Sequence, residues 1–391
     1  MNFSLSPEQV AVSESAAAVF SGMAGAERVA EVEQSGDRVD DRLWAELAKA
    51  ELLGLVVPEA HGGAGLGLTE ACLVLEQQGR HVAPVPLWAT TVLGALTLSR
   101  FGSPAQQAEL LPAVADGSLR LSAALTEVAS DAKRRPSAVA TREADGGWRL
   151  SGFLQAVPQA HVAGRVLVPA HCPSLAGEAG EVMVAVVDPA APGVTRTPAE
   201  TTDHQIHPHL GLHDVRVGPG DVLAPSESGA AVVAFMVESA VTGLCALQLG
   251  VAEEALAKAA AYTNQRHQFG RPLSAFQGTM LRAADAYIDT EAIRVTTWQA
   301  AWRLDTGRPA AEAVAVAKWW ASEAGQRVVH TTQHLHGGLG ADVSYPIHRY
   351  FLWGKQIELM LEGPAAQLAR LGDLVAEELL AELPARRGAR P

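Results

Sequence analysis

The sequence is poor in cysteine, in positive charge and in long apolar runs. Its three cysteines, Cys72, Cys172 and Cys245, lie far apart without CxxC spacing, which favours neither a disulfide framework nor a zinc site. Three histidines between residues 204 and 209 lie in a Pro- and Gly-flanked loop, so we predict no metal site. No uninterrupted apolar segment reaches the roughly 18 to 20 residues that cross a bilayer, and the N-terminus lacks a signal-peptide pattern. We therefore expect a soluble, cytoplasmic protein that spans no membrane.

The balance of charge excludes some classes of partner. Asp and Glu number 43 against 30 Lys and Arg, which gives a formal net charge of −13. This balance argues against general binding to nucleic acid or to anionic membranes, although a few local arginines can still bind an anionic cofactor. With 391 residues, 48% of them hydrophobic, the chain can bury a large core, and its length indicates two or three domains.

The residue pattern changes twice along the chain. Residues 1–115 read as mostly helical, with a helix start at Ser6, where a capping residue precedes a proline and an acid. Residues 116–228 contain short runs rich in β-formers, and residues 229–391 return to long Ala-rich helical runs. The short runs lie at 119–125, 137–141, 148–153, 166–169 and 182–187. The long runs lie at about 229–265, 275–306, 309–336 and 346–383, and they predict a helical bundle.

One segment carries most of the functional information. It reads Arg-His-Gln-Phe-Gly-Arg-Pro-Leu-Ser-Ala-Phe-Gln from Arg266 to Gln277. Its arginine, aromatic ring and amide suit a ligand with a pyrophosphate and a flat ring system, because a forked guanidinium matches phosphate oxygens. The segment resembles the RxQFGxPxxxFQ signature of the acyl-CoA dehydrogenase family of flavoenzymes. Further motifs of that family stand in its order at residues 57–65, 125–131, 336–340 and 361–364.

The resemblance covers almost the full length and implies both a fold and an activity. The implied fold is mainly α with a β middle domain: an N-terminal helical domain (1–115), a central β-barrel (116–228) and a C-terminal four-helix bundle (229–391). The implied activity is FAD-dependent α,β-dehydrogenation of an acyl thioester, with electrons passed to an electron-transfer flavoprotein. The chain looks most like a bacterial subgroup that acts on bulky acyl-CoAs such as steroid side chains.

The resemblance also implies which residues contact FAD. Arg266 corresponds to the arginine that reaches the pyrophosphate of a neighbouring subunit's cofactor. Phe269 and Gln277 correspond to residues that line the binding site of that cofactor. Gly337 and Gly338 correspond to the backbone that approaches the phosphate or ribityl chain, since glycine removes the Cβ obstruction.

Three positions depart from the family's pattern. His334 stands where the family has a glutamine, with Gln333 one step earlier, and a histidine there can still donate a hydrogen bond to the cofactor. Thr126 and Ser130 lie in the segment that folds over the flavin ring in the family, but here that segment is two residues shorter and lacks its glycines. The family's stacking Trp-x-Thr is replaced by residues 156–158, Ala-Val-Pro, which leaves room for a bulkier acyl group.

The reaction needs a carboxylate that removes the proton beside the thioester carbonyl. Glu362 stands in the family's base motif as Leu-Glu-Gly-Pro, although counting from Tyr345 places it one residue late. The structural alternative is a helix-terminal charge that compensates the helix dipole before Pro364. A second family position lies on the first long bundle helix, where Glu238 is the reserve candidate, two residues from the matching position.

Two other functions stay open at this point. One is a dehydrogenase of a biosynthetic, polyketide-precursor pathway that acts on a short or branched acyl group carried by CoA or an acyl carrier protein. The other is a non-catalytic subunit that donates Arg266 and Gln277 to the flavin of its neighbour. We expect a homo-oligomer, a dimer or tetramer, or a hetero-tetramer with a homologue, because the family completes its cofactor site across an interface.

Overall fold

The N-terminal part of the chain is helical, as the sequence predicts. The structure, a computed structural model, describes residues 3–130, 135–173, 181–223 and 228–382. The first helices are α1 (Pro7–Met23), α2 (Ala26–Glu33), α3 (Asp41–Lys49), α4 (Leu68–His81), α5 (Leu96–Phe101) and α6 (Pro104–Ala115). Ser6 caps α1, because its side chain and that of Gln9 each accept a hydrogen bond from the other's backbone N–H. This capping box confirms the predicted helix start.

A π-helical segment, Trp88–Ala95, lies between α4 and α5, and all of its residues are buried. The indole nitrogen of Trp88 donates a hydrogen bond to the carbonyl oxygen of Ala240 at 3.0 Å. The segment is thereby joined to the C-terminal helices. Trp88 and Leu93 also line a cavity, which agrees with the frequent use of π-helical turns at functional sites.

The middle of the chain forms a seven-stranded mixed sheet. Its elements are β1 (Leu121–Ala123), the short helix α7 (Thr126–Ser130), β2 (Ala138–Arg142), β3 (Trp148–Leu154), β4 (Arg165–Cys172), β5 (Glu181–Val187), β6 (Val194–Thr197) and β7 (His209–Val217). The order is β1-β4-β2-β3-β7-β6, with β5 on the other edge of β4. Strands β6 and β7 correspond to none of the predicted runs, although β7 ends in an alternation of apolar and polar residues that favours a strand.

The expected barrel is wrong, because the described strands do not close. A closed barrel needs every strand to be paired on both of its edges. Strand β6 pairs only with β7, and the outer edge of β5 makes a single bridge, between Ala185 and Val222. Since no strand pair joins these two edges within the described residues, the middle domain is an open mixed sheet. The predicted domain boundaries at 115/116 and 228/229 stay a prediction.

The C-terminal part is a helical bundle with one more break than the sequence predicts. Its helices are α8 (Gly229–Gln265), α9 (Gln277–Asp305), α10 (Ala311–Leu335), α11 (Ile347–Leu359) and α12 (Pro364–Glu382). The run predicted at 346–383 is divided between α11 and α12 by residues 360–363. The reason is local: Pro364 has no backbone N–H to continue the hydrogen-bond ladder and disfavours helical backbone at Gly363 before it.

Helix α8 is the central helix of the apolar core. It is 37 residues long and contains an 18-residue window of mean hydropathy 2.0, so it is long and apolar enough to cross a membrane. In this fold 72% of that window is buried inside the protein. Its apolar surface is thus covered by the other helices, above all α4, α9 and α10.

Candidate active site

A cavity of about 320 Å³ lies between the π-helical segment, the sheet and the end of α11. Its wall includes two residues that the sequence predicts for the site, Thr126 and Glu362. The apolar side chains on the wall include Trp88, Leu93, Leu125, Pro158, Leu359 and Met360. A mostly apolar cavity of this size with a few convergent polar groups is typical of a small-molecule site.

Glu362 reaches the cavity from an unusual turn. Helix α11 ends at Leu359, and the backbone of Leu361 and Glu362 then adopts positive φ angles of 51° and 79°. Left-handed backbone is unfavourable for residues other than glycine and persists only where the surroundings hold it. Leu361 is 7% exposed, and its carbonyl oxygen accepts a hydrogen bond from the side chain of Gln367 on α12 at 3.4 Å. The burial of Leu361 and the hydrogen bond from Gln367 therefore both hold the turn.

The Glu362 carboxyl is only partly exposed. Burial raises its pKa, and the ammonium of Lys318 opposes part of that rise. A raised pKa makes the ionised form a better proton acceptor. The position and the environment of Glu362 both suit a general base.

Glu238, the reserve candidate, lies on α8 and does not line this cavity. Burial raises its pKa to about 7. Within the described part of the chain no cation and no hydrogen-bond donor contacts its carboxylate. Burial therefore favours the protonated, neutral form of Glu238.

The sheet side of the cavity is built from small and polar side chains. Ala156 and Pro158 line the wall. The residues that replace the family's Trp-x-Thr therefore put little side-chain volume into the cavity. His207, predicted only to lie in a loop, also lines the cavity. Burial lowers its pKa to about 4. A neutral imidazole is expected there at physiological pH. Thr126 begins α7; Ser130 ends it, and the Ser130 side chain lies outside the described part of the structure.

The segment from Arg266 to Gln277 forms a short hairpin between α8 and α9. Its strands are β8 (His267–Gln268) and β9 (Arg271–Pro272), and Phe269 and Gly270 make the turn with φ angles of 53° and 80°. The predicted interruption of the helix is confirmed, since α8 ends at Gln265 and α9 begins at Gln277.

The predicted cofactor residues of this hairpin face solvent. Arg266 and Gln277 are exposed, and the Phe269 side chain is 90% exposed. None of the three lines the cavity of its own chain. The guanidinium of Arg266, the ring of Phe269 and the amide of Gln277 are therefore accessible from solvent.

The glycine motif forms a second exposed site, just after α10. Gly337 has a φ of 60°, and no atom lies within 4 Å of the place where a Cβ would stand on Gly337 or Gly338. His334 is exposed. Gln333 is occupied within the fold, because its side chain donates a hydrogen bond to the carbonyl oxygen of Gly340 at 2.9 Å. The open backbone can thus be approached closely by a ligand.

The structure sorts the predicted site residues into separate places. Thr126 and Glu362 share the cavity, the hairpin and the glycine motif lie outside it, and Glu238 stands apart. A mostly apolar cavity suits a flat ring, whereas an exposed guanidinium and glycine backbone that a ligand can approach closely suit phosphates. This set of donors fits FAD. Among residues 3–130, 135–173, 181–223 and 228–382 no group of three His, Cys, Asp or Glu could hold a metal ion.

Comparison with known proteins places the chain in a family. Residues 6–118 match the profile "Acyl-CoA dehydrogenase, N-terminal domain", and residues 228–369 match "Acyl-CoA dehydrogenase, C-terminal domain". The acyl-CoA dehydrogenase FadE27 of Mycobacterium tuberculosis is 37% identical over 355 residues, which cover 89% of this chain and 91% of that protein. The chain belongs to the acyl-CoA dehydrogenase family.

Two solved structures support the same conclusion. A variant of the steroid ACAD Tcur3481–Tcur3483 is 45% identical, with a TM-score of 0.87 over 95% of this chain and 99% of that one. The ChsE4–ChsE5 complex from Mycobacterium tuberculosis is 35% identical, with a TM-score of 0.88 over 98% of this chain and 100% of that one. The predicted class, an oxidoreductase of acyl-CoA CH–CH bonds that uses FAD, is confirmed.

Proposed function

We propose that the chain dehydrogenates a bulky acyl-CoA between its α and β carbons, with Glu362 as the base. The proposal depends above all on one observation: the Glu362 carboxylate stands on the wall of a mostly apolar cavity that Thr126 also lines. The small side chains of Ala156 and Pro158 on that wall favour a wide acyl group over a narrow one. The similarity to a steroid ACAD supports a substrate of the steroid side-chain class.

The residues of the chain account for the proton that leaves the substrate. The Glu362 carboxylate accepts the proton from the carbon beside the thioester carbonyl. The apolar wall keeps water away, which makes a carboxylate a stronger base and protects the reaction from hydrolysis. FAD, when bound, supplies the acceptor for the hydride of the neighbouring carbon.

We further propose which residues hold FAD. Thr126 stands at the cavity, where a hydroxyl suits the edge of a flavin ring. The hairpin with Arg266, Phe269 and Gln277 and the loop with His334, Gly337 and Gly338 lie outside that cavity. They expose a guanidinium, an aromatic ring and glycine backbone that no side chain obstructs. We infer that the hairpin serves the cofactor of a neighbouring subunit. Ser130 stays a predicted contact.

The substrate class can be tested by anaerobic reduction of the bound flavin. We expect the flavin to bleach fastest with a steroid side-chain acyl-CoA and more slowly with straight-chain thioesters of equal carbon number. Fastest reduction by a short, branched thioester, or by one on an acyl carrier protein, would instead indicate the biosynthetic function. A colourless protein that co-purifies with a homologue would indicate a non-catalytic subunit.

We expect the purified protein to be an oligomer. Apolar side chains on α9 that are more than half exposed accompany Phe269 on the surface, and such a set is typical of an interface. They are Met280, Leu281, Tyr287 and Ile288. Light scattering should give a multiple of the chain mass of 40.9 kDa. The ChsE4–ChsE5 relative is a complex of two chains, so adding a homologue tests for a mixed assembly. A stable monomer loaded with flavin would contradict this prediction.

Two further assignments stay predictions. The electron acceptor is expected to be an electron-transfer flavoprotein, and the protein is expected in the cytoplasm. Reoxidation of the reduced enzyme by a purified electron-transfer flavoprotein, faster than by oxygen, is the result that would support the first of them.

A further inference from the structure

Lys318, on α10, is fully buried in the helical bundle. Within the described residues no carboxylate oxygen lies within ion-pair distance of its ammonium. Its Nζ instead donates hydrogen bonds to the carbonyl oxygens of Ile357 at 2.6 Å and Glu358 at 3.3 Å. Burying a charged amine without a counter-ion costs folding free energy, so we expect this lysine to have a function.

The two carbonyls belong to the last turn of α11. Carbonyl groups at a helix C-terminus lack partners within the helix and carry the negative end of its dipole, so a cation stabilises them. Ser322, one turn further along α10, donates a hydrogen bond to the Glu358 carbonyl oxygen at 3.1 Å. Helix α10 therefore anchors the end of α11 from inside the bundle.

The anchored carbonyls immediately precede the turn that carries Glu362. That turn contains two residues with left-handed backbone, which the surroundings must hold in place. We propose that Lys318 is a positioning residue for Glu362: its ammonium, hydrogen-bonded to the last carbonyls of α11, fixes the start of the turn and keeps a positive charge behind it. This inference rests on the proposed function, in which Glu362 is the base.

The charge near Glu362 comes from Lys318, because the other titratable groups around Lys318 are neutral or paired. Cys245, on α8, stays a neutral thiol because burial raises its pKa to about 12. The Glu358 carboxylate pairs with Lys355 at 2.5 Å, and Glu362 is the remaining carboxylate that Lys318 influences. Burial lowers the pKa of Lys318 itself to about 8. Its charge is therefore present at neutral pH and is lost as the pH rises through 8.

Three variants of the FAD-loaded protein separate the hydrogen bonds from the charge. Lys318→Met removes both, Lys318→Gln keeps a donor but removes the charge, and Ser322→Ala removes one neutral hydrogen bond to the same carbonyl as a control. Two quantities are measured: amide hydrogen exchange in residues 359–366, and the pH dependence of flavin reduction by an acyl-CoA.

We expect Lys318→Met to speed exchange in 359–366 by roughly tenfold while flavin content is kept. Both Lys318 variants should move the acid limb of the rate profile to higher pH, with a loss of about threefold to tenfold at pH 6. Ser322→Ala should speed exchange in 359–366 less than Lys318→Met does, and it should leave the acid limb of the rate profile unchanged. If Lys318→Met does not fold, Lys318→Gln and Ser322→Ala decide the question through the acid limb.

The proposal is wrong if the Lys318 variants that fold keep the acid limb of the wild type. A limb that moves equally in Ser322→Ala would also overturn it, because the effect would then be loosening and not charge. Failure of the proposed function is recognised separately. If Glu362→Gln reduces flavin at the wild-type rate, Glu362 is not the base, whereas the exchange data still show whether Lys318 holds the turn.

Discussion

Glu362→Gln is expected to slow anaerobic flavin reduction by the acyl-CoA by about 100- to 10,000-fold, the usual contribution of a general base. The amide keeps the size and polarity of the side chain but cannot accept the substrate proton. FAD content should stay unchanged. Stopped-flow measurement of the reductive half-reaction, with flavin content determined from absorbance, checks both expectations.

The same segment offers a matched control. Glu358 lies one turn before the Glu362 turn and pairs with Lys355, so Glu358→Gln makes the same chemical change away from the cavity wall. Near-normal reduction is expected there. If Glu362→Gln reduces flavin almost normally and Glu238→Gln does not, the role of base moves to α8. If neither change matters in a competent enzyme, the base lies on a partner subunit.

Arg266→Ala is expected to weaken FAD binding by roughly 10- to 150-fold, which corresponds to the loss of a charge-assisted hydrogen bond of about 1.5 to 3 kcal/mol. Arg266 is exposed at the end of α8, and its guanidinium is free of any ion pair within the described residues. Flavin content after gel filtration in high salt, together with the Kd from titration of the stripped protein, measures the effect.

Arg271 provides the control for charge alone. It lies on the same exposed hairpin, and its guanidinium stacks on the Phe276 ring at 4.1 Å. Arg271→Ala removes the same charge from the same surface, so a clearly smaller loss of FAD is expected. Full flavin retention by Arg266→Ala, or equal losses in the two variants, would show that Arg266 is not a specific pyrophosphate contact.

The sequence predicted the elements whose signals are local. A capping residue and a proline at Ser6 and Pro7 are enough to start a helix, and the Gly-Arg-Pro run after Phe269 is enough to end one. The predicted barrel was wrong because closure depends on which strand edges meet. The sequence of one strand does not show which strand pairs with its second edge. The long run predicted at 346–383 was wrong because apolar periodicity continues across the break that Pro364 imposes.

The sequence by itself determined the family, the use of FAD and the helix bounds at Ser6 and on either side of residues 266–276, because these depend on motifs and on short-range capping and periodicity. Only the tertiary structure decided how the site residues are grouped. It brings Thr126 and Glu362 to one cavity, turns Arg266 outward and buries Lys318 against the end of α11. Such contacts join residues far apart in the chain, so they depend on the packing of whole helices against the sheet and not on the preference of any local segment.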